Sequence, residues 1–268
     1  MLRGVGPLLG SAHLEPSLAV TVAACALAIG AGLGARTTLV AVAVGSGQLS
    51  IGWSNDWLDW RRDRAAGRHD KPIASGLVSP RTVATAAGVA LLVCVVASLA
   101  LSRAAGLVHL VGVAAGWGYN LRAKSTWYSV APWAVAFGLL PAVVTLTAPL
   151  GRWPAWWLLA AGALLGAGAH FANALPDLDR DRATGVAGLP HRLGRRRSQF
   201  ATLGLVAVGI GVVAAATASP ALGGLGALLL IAVAVAAVRG RDRLAFHGVV
   251  ALLLLLAVSV VVGGAQLF

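Results

Sequence analysis

Nine apolar stretches, each long enough to cross a lipid bilayer, leave this chain few folds to choose from. About 20 apolar residues span the hydrocarbon core, and such stretches fall near residues 16–35, 37–55, 81–102, 104–121, 129–148, 154–175, 199–218, 221–238 and 244–264. Only 11% of the residues are charged and mean hydropathy is +0.83, whereas a soluble domain carries about 25% charged residues. The pattern predicts an all-α, polytopic membrane protein, one domain over 1–268, with nine transmembrane helices.

Positive charge predicts the orientation, because Lys and Arg collect in cytoplasmic loops. With these nine spans, the N-terminus and every second loop hold 18 of the 21 Lys and Arg, and the opposite loops hold only Arg36, Arg103 and Arg152. The N-terminus, with Arg3, is therefore expected in the cytoplasm and the C-terminus outside. The formal charge of +12 sits in short loops between spans, which argues against a nucleic-acid partner. Cys25 and Cys94 lie singly in apolar spans and read as packing residues. Residues 1–15 lack the charged, apolar and small-residue succession of a cleaved leader. Nothing in the chain calls for a protein partner.

Against this apolar background the acids are concentrated. A pattern reading Asn-x3-Asp-x3-Asp-Arg-Ala-(Ala/Thr)-Gly-x4-Pro-x3-Gly occurs twice, from Asn55 to Gly76 and from Asn173 to Gly194, at an offset of 118. Seven of the nine acidic residues lie in these two segments, with only Glu15 and Asp242 elsewhere. The copies begin at the ends of spans two and six, so four spans separate them and both face the cytoplasm. This predicts a parallel duplication of two four-helix units, about 37–148 and 154–264, around a central cavity, with the first span outside them.

On a helix turning about 100° per residue, Asn55, Asp59 and Asp63 form one stripe with Asp56 at its edge. The same spacing predicts a second stripe of Asn173, Asp177 and Asp181, with Asp179 on the far side. Facing stripes of carboxylates repel one another unless a cation lies between them. Divalent magnesium meets that need, because it takes oxygen ligands and shares them with substrate phosphates. Arg62, Arg64, Arg68, Lys71, Arg180, Arg182 and Lys124 are then the candidate diphosphate contacts. A polar headgroup site at the mouth of an apolar bundle suits an isoprenyl diphosphate.

At these residues the chain resembles the UbiA superfamily of intramembrane prenyltransferases. The family's Asn-Asp-x2-Asp-x3-Asp signature is matched by Asn55, Asp56, Asp59 and Asp63, and its Asp-x3-Asp signature by Asp177 and Asp181. The resemblance covers almost the whole chain. It implies nine helices, magnesium, and a prenyl diphosphate ionised to an allylic cation that a lipophilic acceptor captures, with Asp56, Asp59, Asp63, Asp177, Asp181 and Lys124 catalytic. A Tyr-x3-Lys element found in parts of the family has its nearest equivalent in Tyr119 and Lys124, one residue further apart, and Asn120 stands at the x3 spacing. Near the N-terminus only Arg3, His13 and Glu15 are available to select an acceptor, which leaves its identity open between aromatic and quinone-precursor compounds.

Trp53, Trp57, Trp117 and Tyr119 are candidate cavity walls that shield a cation with their ring faces, or, for the tryptophans, interfacial anchors. His170, three residues before Asn173, either faces the cavity or bonds a neighbouring carbonyl. A terpene cyclase on the same scaffold would share the metal site, and a cation-coupled transporter is a further rival. A phosphotransferase acting on CDP-linked alcohols needs Asp-x2-Asp-Gly, and Trp60 follows Asp59.

Overall fold

The computed structural model describes residues 5–262, with the side chains of 6–258. Arg3 and the end of the ninth apolar stretch lie outside the described residues. Within them no strand occurs, and twelve α-helices follow one another: α1 (Val5–Gly10), α2 (Leu14–Gly30), α3 (Arg36–Ala65), α4 (Pro80–Leu101), α5 (Arg103–Leu121), α6 (Ala131–Thr145), α7 (Trp156–Ala174), α8 (Leu178–Ala183), α9 (Leu189–Leu193), α10 (Arg195–Ala216), α11 (Pro220–Val238) and α12 (Asp242–Val262). Four of these, α4, α7, α10 and α11, are long and apolar enough to cross a membrane; α2 and α6 are apolar but shorter.

The helices pack as a closed ring. Neighbours in sequence touch from α2 through α7, α7 packs on α10, and α10 leads through α11 to α12, which returns to α2 and α7. Small residues make the tight crossings possible. On α7, a side chain at Gly166 would place its Cβ 2.6 Å from the Phe137 Cβ and 2.7 Å from the Trp133 carbonyl, so α6 lies directly against α7. Helix starts are written locally: Ser79, Ser102 and Ser219 each accept the N–H three residues on, and Pro80 and Pro220 occupy the first turn where no N–H is missed.

Helix α3 departs from the expected division into a span and a loop beginning at residue 56. It runs unbroken for 30 residues, about 45 Å at 1.5 Å per residue, well beyond the roughly 30 Å of a hydrocarbon core. The first acidic stripe therefore rides on the last turns of a rigid helix.

The second copy is built differently. Pro176 stands where the first copy has Leu58, and α7 ends at Ala174. Proline has no N–H to give the preceding turn and its ring crowds the backbone behind it. A turn follows, and Asp181 is carried by the separate six-residue α8. The expectation of an identical continuous stripe through Asn173, Asp177 and Asp181 is corrected accordingly.

Downstream of the acids the two copies converge again. Gly67 (φ +67°) and Gly185 (φ +85°) end their helices in the left-handed region. Arg68 donates its N–H to the Asp63 carbonyl, and Val186 to that of Asp181, while Gly67 and Gly185 bond back to Arg64 and Arg182. This is the paired closure of a Schellman motif, which favours glycine because a Cβ is strained there.

Candidate active site

A cavity of about 350 Å³ lies where the ends of α3, α5 and α7 meet α8 and α9. Asn55, Asp59 and Asp63 border it from the first copy and Asn173, Asp177 and Asp181 from the second. Arg62, Arg68, Lys71 and Lys124 reach the same space. Two acidic segments 118 residues apart in sequence thus face one volume.

The first copy is locked by polar contacts. Asn120, at the end of α5, donates through Nδ2 to the Ile51 carbonyl and Ser54 Oγ, both at 2.8 Å, and accepts from Asn55 Nδ2 at 3.1 Å. Asp59 accepts from Lys124 Nζ at 2.5 Å and pairs with Arg62 at 2.9 Å. Asp63 is buried without an ion pair of its own among the described residues. Burial pushes its carboxyl above the usual carboxylate range, against the pull of Lys71 and with the charge of Asp59 adding to the rise. Burial likewise lowers the Lys124 ammonium below the ordinary lysine value, against the attraction of Asp59.

The second copy is more open. The Asp177 side chain is 34% exposed and Asp181 25%, against 11% for Asp59. Arg68 forks onto Asp70 at 3.3 and 2.9 Å, holding that carboxyl down to about 2, and stands 3.8 Å from Asp177. A first-copy cation therefore reaches a second-copy acid. Asp179 turns away to Arg195, as the helical arithmetic requires.

Several expected site residues are spent elsewhere. Asp56 does not border the cavity: it is buried beneath Lys71 Nζ at 2.5 Å and His13 Nε2 at 3.1 Å, because its position at the edge of the arc turns it toward α2. Arg64 folds back over the Trp60 ring with its Nε on the Ala74 carbonyl. Arg180 pairs with its neighbour Asp177 at 3.2 Å, and Arg182 donates to the His191 carbonyl. Trp53 and Trp57 pack with Trp60 around Ile73 and Val78, the Trp53 indole N–H bonding the Leu8 carbonyl. Trp117 donates to Ser50 Oγ. His170 is buried behind the wall and pairs with Ser129 Oγ at 3.0 Å, a hydroxyl in place of the expected carbonyl.

Of the expected walls only Tyr119 borders the cavity, its ring edge-on to Trp133 and His170. Trp133, stacked on Phe137 at 5.9 Å, was not singled out by sequence, nor were Gln48 and His191. Trp133 and Phe137 border a second, apolar chamber of about 110 Å³ between α2, α6, α7 and α12, which shares Pro16 and Val20 with the polar cavity. Amphipathic helical residues in such a bundle look alike in sequence, whether they line a cavity or fill a core.

The donor set fits magnesium by its chemistry. The facing groups are carboxylate and amide oxygens, although no three acidic, His or Cys side chains among the described residues stand close enough together to hold a metal ion by themselves. Magnesium is held by one or two carboxylates with substrate phosphates completing the shell, so an open set of oxygens is the arrangement it needs.

A polytopic helical protein with a polar cavity beside an apolar chamber is the class that fold and site define. The model of the UbiA prenyltransferase family matches residues 17–245, and the chain belongs to that family. It is a multi-pass membrane protein. Among solved structures it is similar to an apo UbiA homolog from Aeropyrum pernix K1, with a TM-score of 0.75, 21% identity, and 91% of this chain and 97% of that one covered. Two structures of a UbiA homolog from Archaeoglobus fulgidus also match. The one bound to GPP and Mg2+ gives a TM-score of 0.68 at 17% identity, covering 96% of this chain and 99% of that one. The one bound to DMAPP and Mg2+ gives 0.69 at 16%, covering 95% and 99%. No curated protein matches the chain.

Proposed function

We propose that this chain is a magnesium-dependent intramembrane prenyltransferase, moving an isoprenyl group from its diphosphate to a lipophilic acceptor of aromatic or quinone-precursor type. One observation carries the reading: Asp59, Asp63, Asp177 and Asp181 border a single cavity together with Arg68, Lys71 and Lys124, and an apolar chamber shares lining residues with that cavity. A diphosphate and its hydrocarbon tail need these two environments side by side. The GPP and DMAPP bound with Mg2+ in the Archaeoglobus homolog favour the same substrate class.

Asn55, Asp59, Asp63, Asn173, Asp177 and Asp181 are the oxygen donors from which magnesium would take its protein ligands in this reading. Bound magnesium supplies charge neutralisation for the diphosphate. Lys124, Arg62, Arg68 and Lys71 exchange their carboxylate partners for phosphate oxygens and stabilise the leaving group as the allylic C–O bond breaks. The Tyr119, Trp133 and Phe137 rings offer their faces to the cation. The acceptor forms the new bond to that cation and then loses a proton, so no protein nucleophile is required.

The helices α2 to α7 and α10 to α12 are read as nine crossings, eight of them in two parallel four-helix units, with the N-terminus and the acidic ends in the cytoplasm. Purified protein incubated with magnesium, prenyl diphosphates of several lengths and a panel of acceptors should yield prenylated acceptor by mass spectrometry. Cyclic hydrocarbon formed without any acceptor would assign the scaffold to a terpene cyclase instead.

A further inference from the structure

The two copies do not contribute equally to the polar cavity. Arg68 and Lys71 of the first copy border it, but at the offset of 118 the second copy has Val186 and Leu189. Arg180 and Arg182 are turned away to Asp177 and the His191 carbonyl. The second copy therefore presents no Lys or Arg there. It presents His191, which stands where the first copy has Ile73 packed among tryptophans.

The His191 side chain is only 6% exposed, with Nε2 3.5 Å from Asp181 Oδ2. Neither ring nitrogen has a hydrogen-bond partner. A buried donor left unpaired carries a desolvation cost that only an arriving partner removes. The backbone that carries the ring is held from both sides. Ser129 Oγ accepts the Leu189 N–H at 2.9 Å, and the Arg182 Nε donates to the His191 carbonyl at 3.0 Å. Between them, a Cβ on Gly188 would stand 2.4 Å from the Lys124 carbonyl, so glycine there lets the His191 segment lie against the loop that carries Lys124. The orphan imidazole and the Lys124 ammonium thus border one cavity from adjoining segments.

We infer that His191 is a direct ligand of the bound diphosphate headgroup, donating an imidazole N–H to a phosphate oxygen on the second copy's side of the cavity. The inference rests on the prenyl-diphosphate reading above. An imidazole ring carries at least one N–H whatever its charge, which is all that the role requires. Preorganised donors of this kind are positioned before the ligand arrives.

Calorimetric titration of the purified full chain with inorganic pyrophosphate in the presence of Mg2+ tests it, alongside thermal unfolding of each variant. His191→Ala and His191→Phe should weaken pyrophosphate about tenfold or more, the loss for one hydrogen bond to a charged oxygen. His191→Gln, which keeps an N–H, should recover most of that loss. Asp181→Asn supplies the background that separates contact from positioning. A further loss from His191→Phe in that background supports direct contact. No further loss means the imidazole acts only through Asp181, and the inference is overturned. Pyrophosphate binding by His191→Phe within twofold of wild type overturns it as well. Wild-type protein that binds no pyrophosphate, or Asp59→Ala that binds as tightly, sinks the prenyl-diphosphate reading and this inference with it.

Discussion

The first motif copy begins on a 30-residue helix that buries Asp56, Asp59 and Asp63; the second is interrupted by a proline break and leaves its acids more exposed. In the first, Asp59 is held by Lys124 and Arg62, and Asp56 is buried under Lys71 and His13. In the second, Asp177 pairs with its neighbour Arg180 at 3.2 Å and has Arg68 at 3.8 Å, and Asp181 has, among the described residues, only His191 at 3.5 Å. A shared residue spacing has produced one wall on a continuous helix, closely paired, and one jointed wall on which the His191 ring is unpaired. The difference lies in the backbone: the α3 end is one continuous helix, and the α7–α8 segment is broken at Pro176.

Removing an acid from either wall should have the largest effect. Asp59→Ala and Asp177→Ala should each cut prenyl transfer on the order of 100-fold or more, the scale for losing a group that stabilises developing charge, with membrane insertion and helicity retained. Turnover that survives only in Asp177→Ala would confine the metal to the first wall and break the two-wall reading. Chelation of magnesium should abolish transfer to the same extent, with recovery on adding the ion back.

Exchanging the residue that distinguishes the copies comes next. Leu58→Pro should destabilise α3 by about 3 kcal/mol or more, read as a lowered unfolding midpoint. Pro176→Leu should instead lengthen α7 and raise helicity. Because it moves Asp181, it should also cost on the order of 10- to 100-fold in turnover. An active Pro176→Leu variant would show that the break is incidental.

Lys71→Met strips the nearest cation from a carboxylate that is only 2% exposed and should cost about 3 kcal/mol of stability. The double variant Asp56→Asn, Lys71→Met should recover most of it. Equal losses in the single and double variants would mean that Lys71 is held by something other than Asp56. The smallest effects are expected at the shared closure: Gly67→Ala and Gly185→Ala should each cost about 1 kcal/mol, and nearly the same amount, since the two turns have the same hydrogen bonds. A large disparity between them would break the equivalence of the two turns.

Much of the site was legible because it is written in chemistry rather than in packing. Carboxylates are so scarce in this chain that their clustering and duplication stand out, and helical arithmetic correctly sends Asp179 away from Asp177 and Asp181. Pro176 was equally visible, and its consequence follows from the missing N–H. Asp56 illustrates the opposite case. Its place in the motif gives no hint that Lys71, 15 residues on, and His13, 43 residues back, close over it.

What the chain alone determined is the class of fold and the location of the charge, because hydrocarbon admits only long apolar segments and isolated acids are costly near it. What the tertiary structure decided is which equivalent residues are used. Lys71 and Lys124 neutralise buried acids, Arg64 and Arg182 brace the backbone, Trp53 and Trp57 fill a small core, and His191 is left facing the cavity unpaired. Such assignments depend on distances between segments far apart in sequence, and residue type and spacing carry no record of those distances.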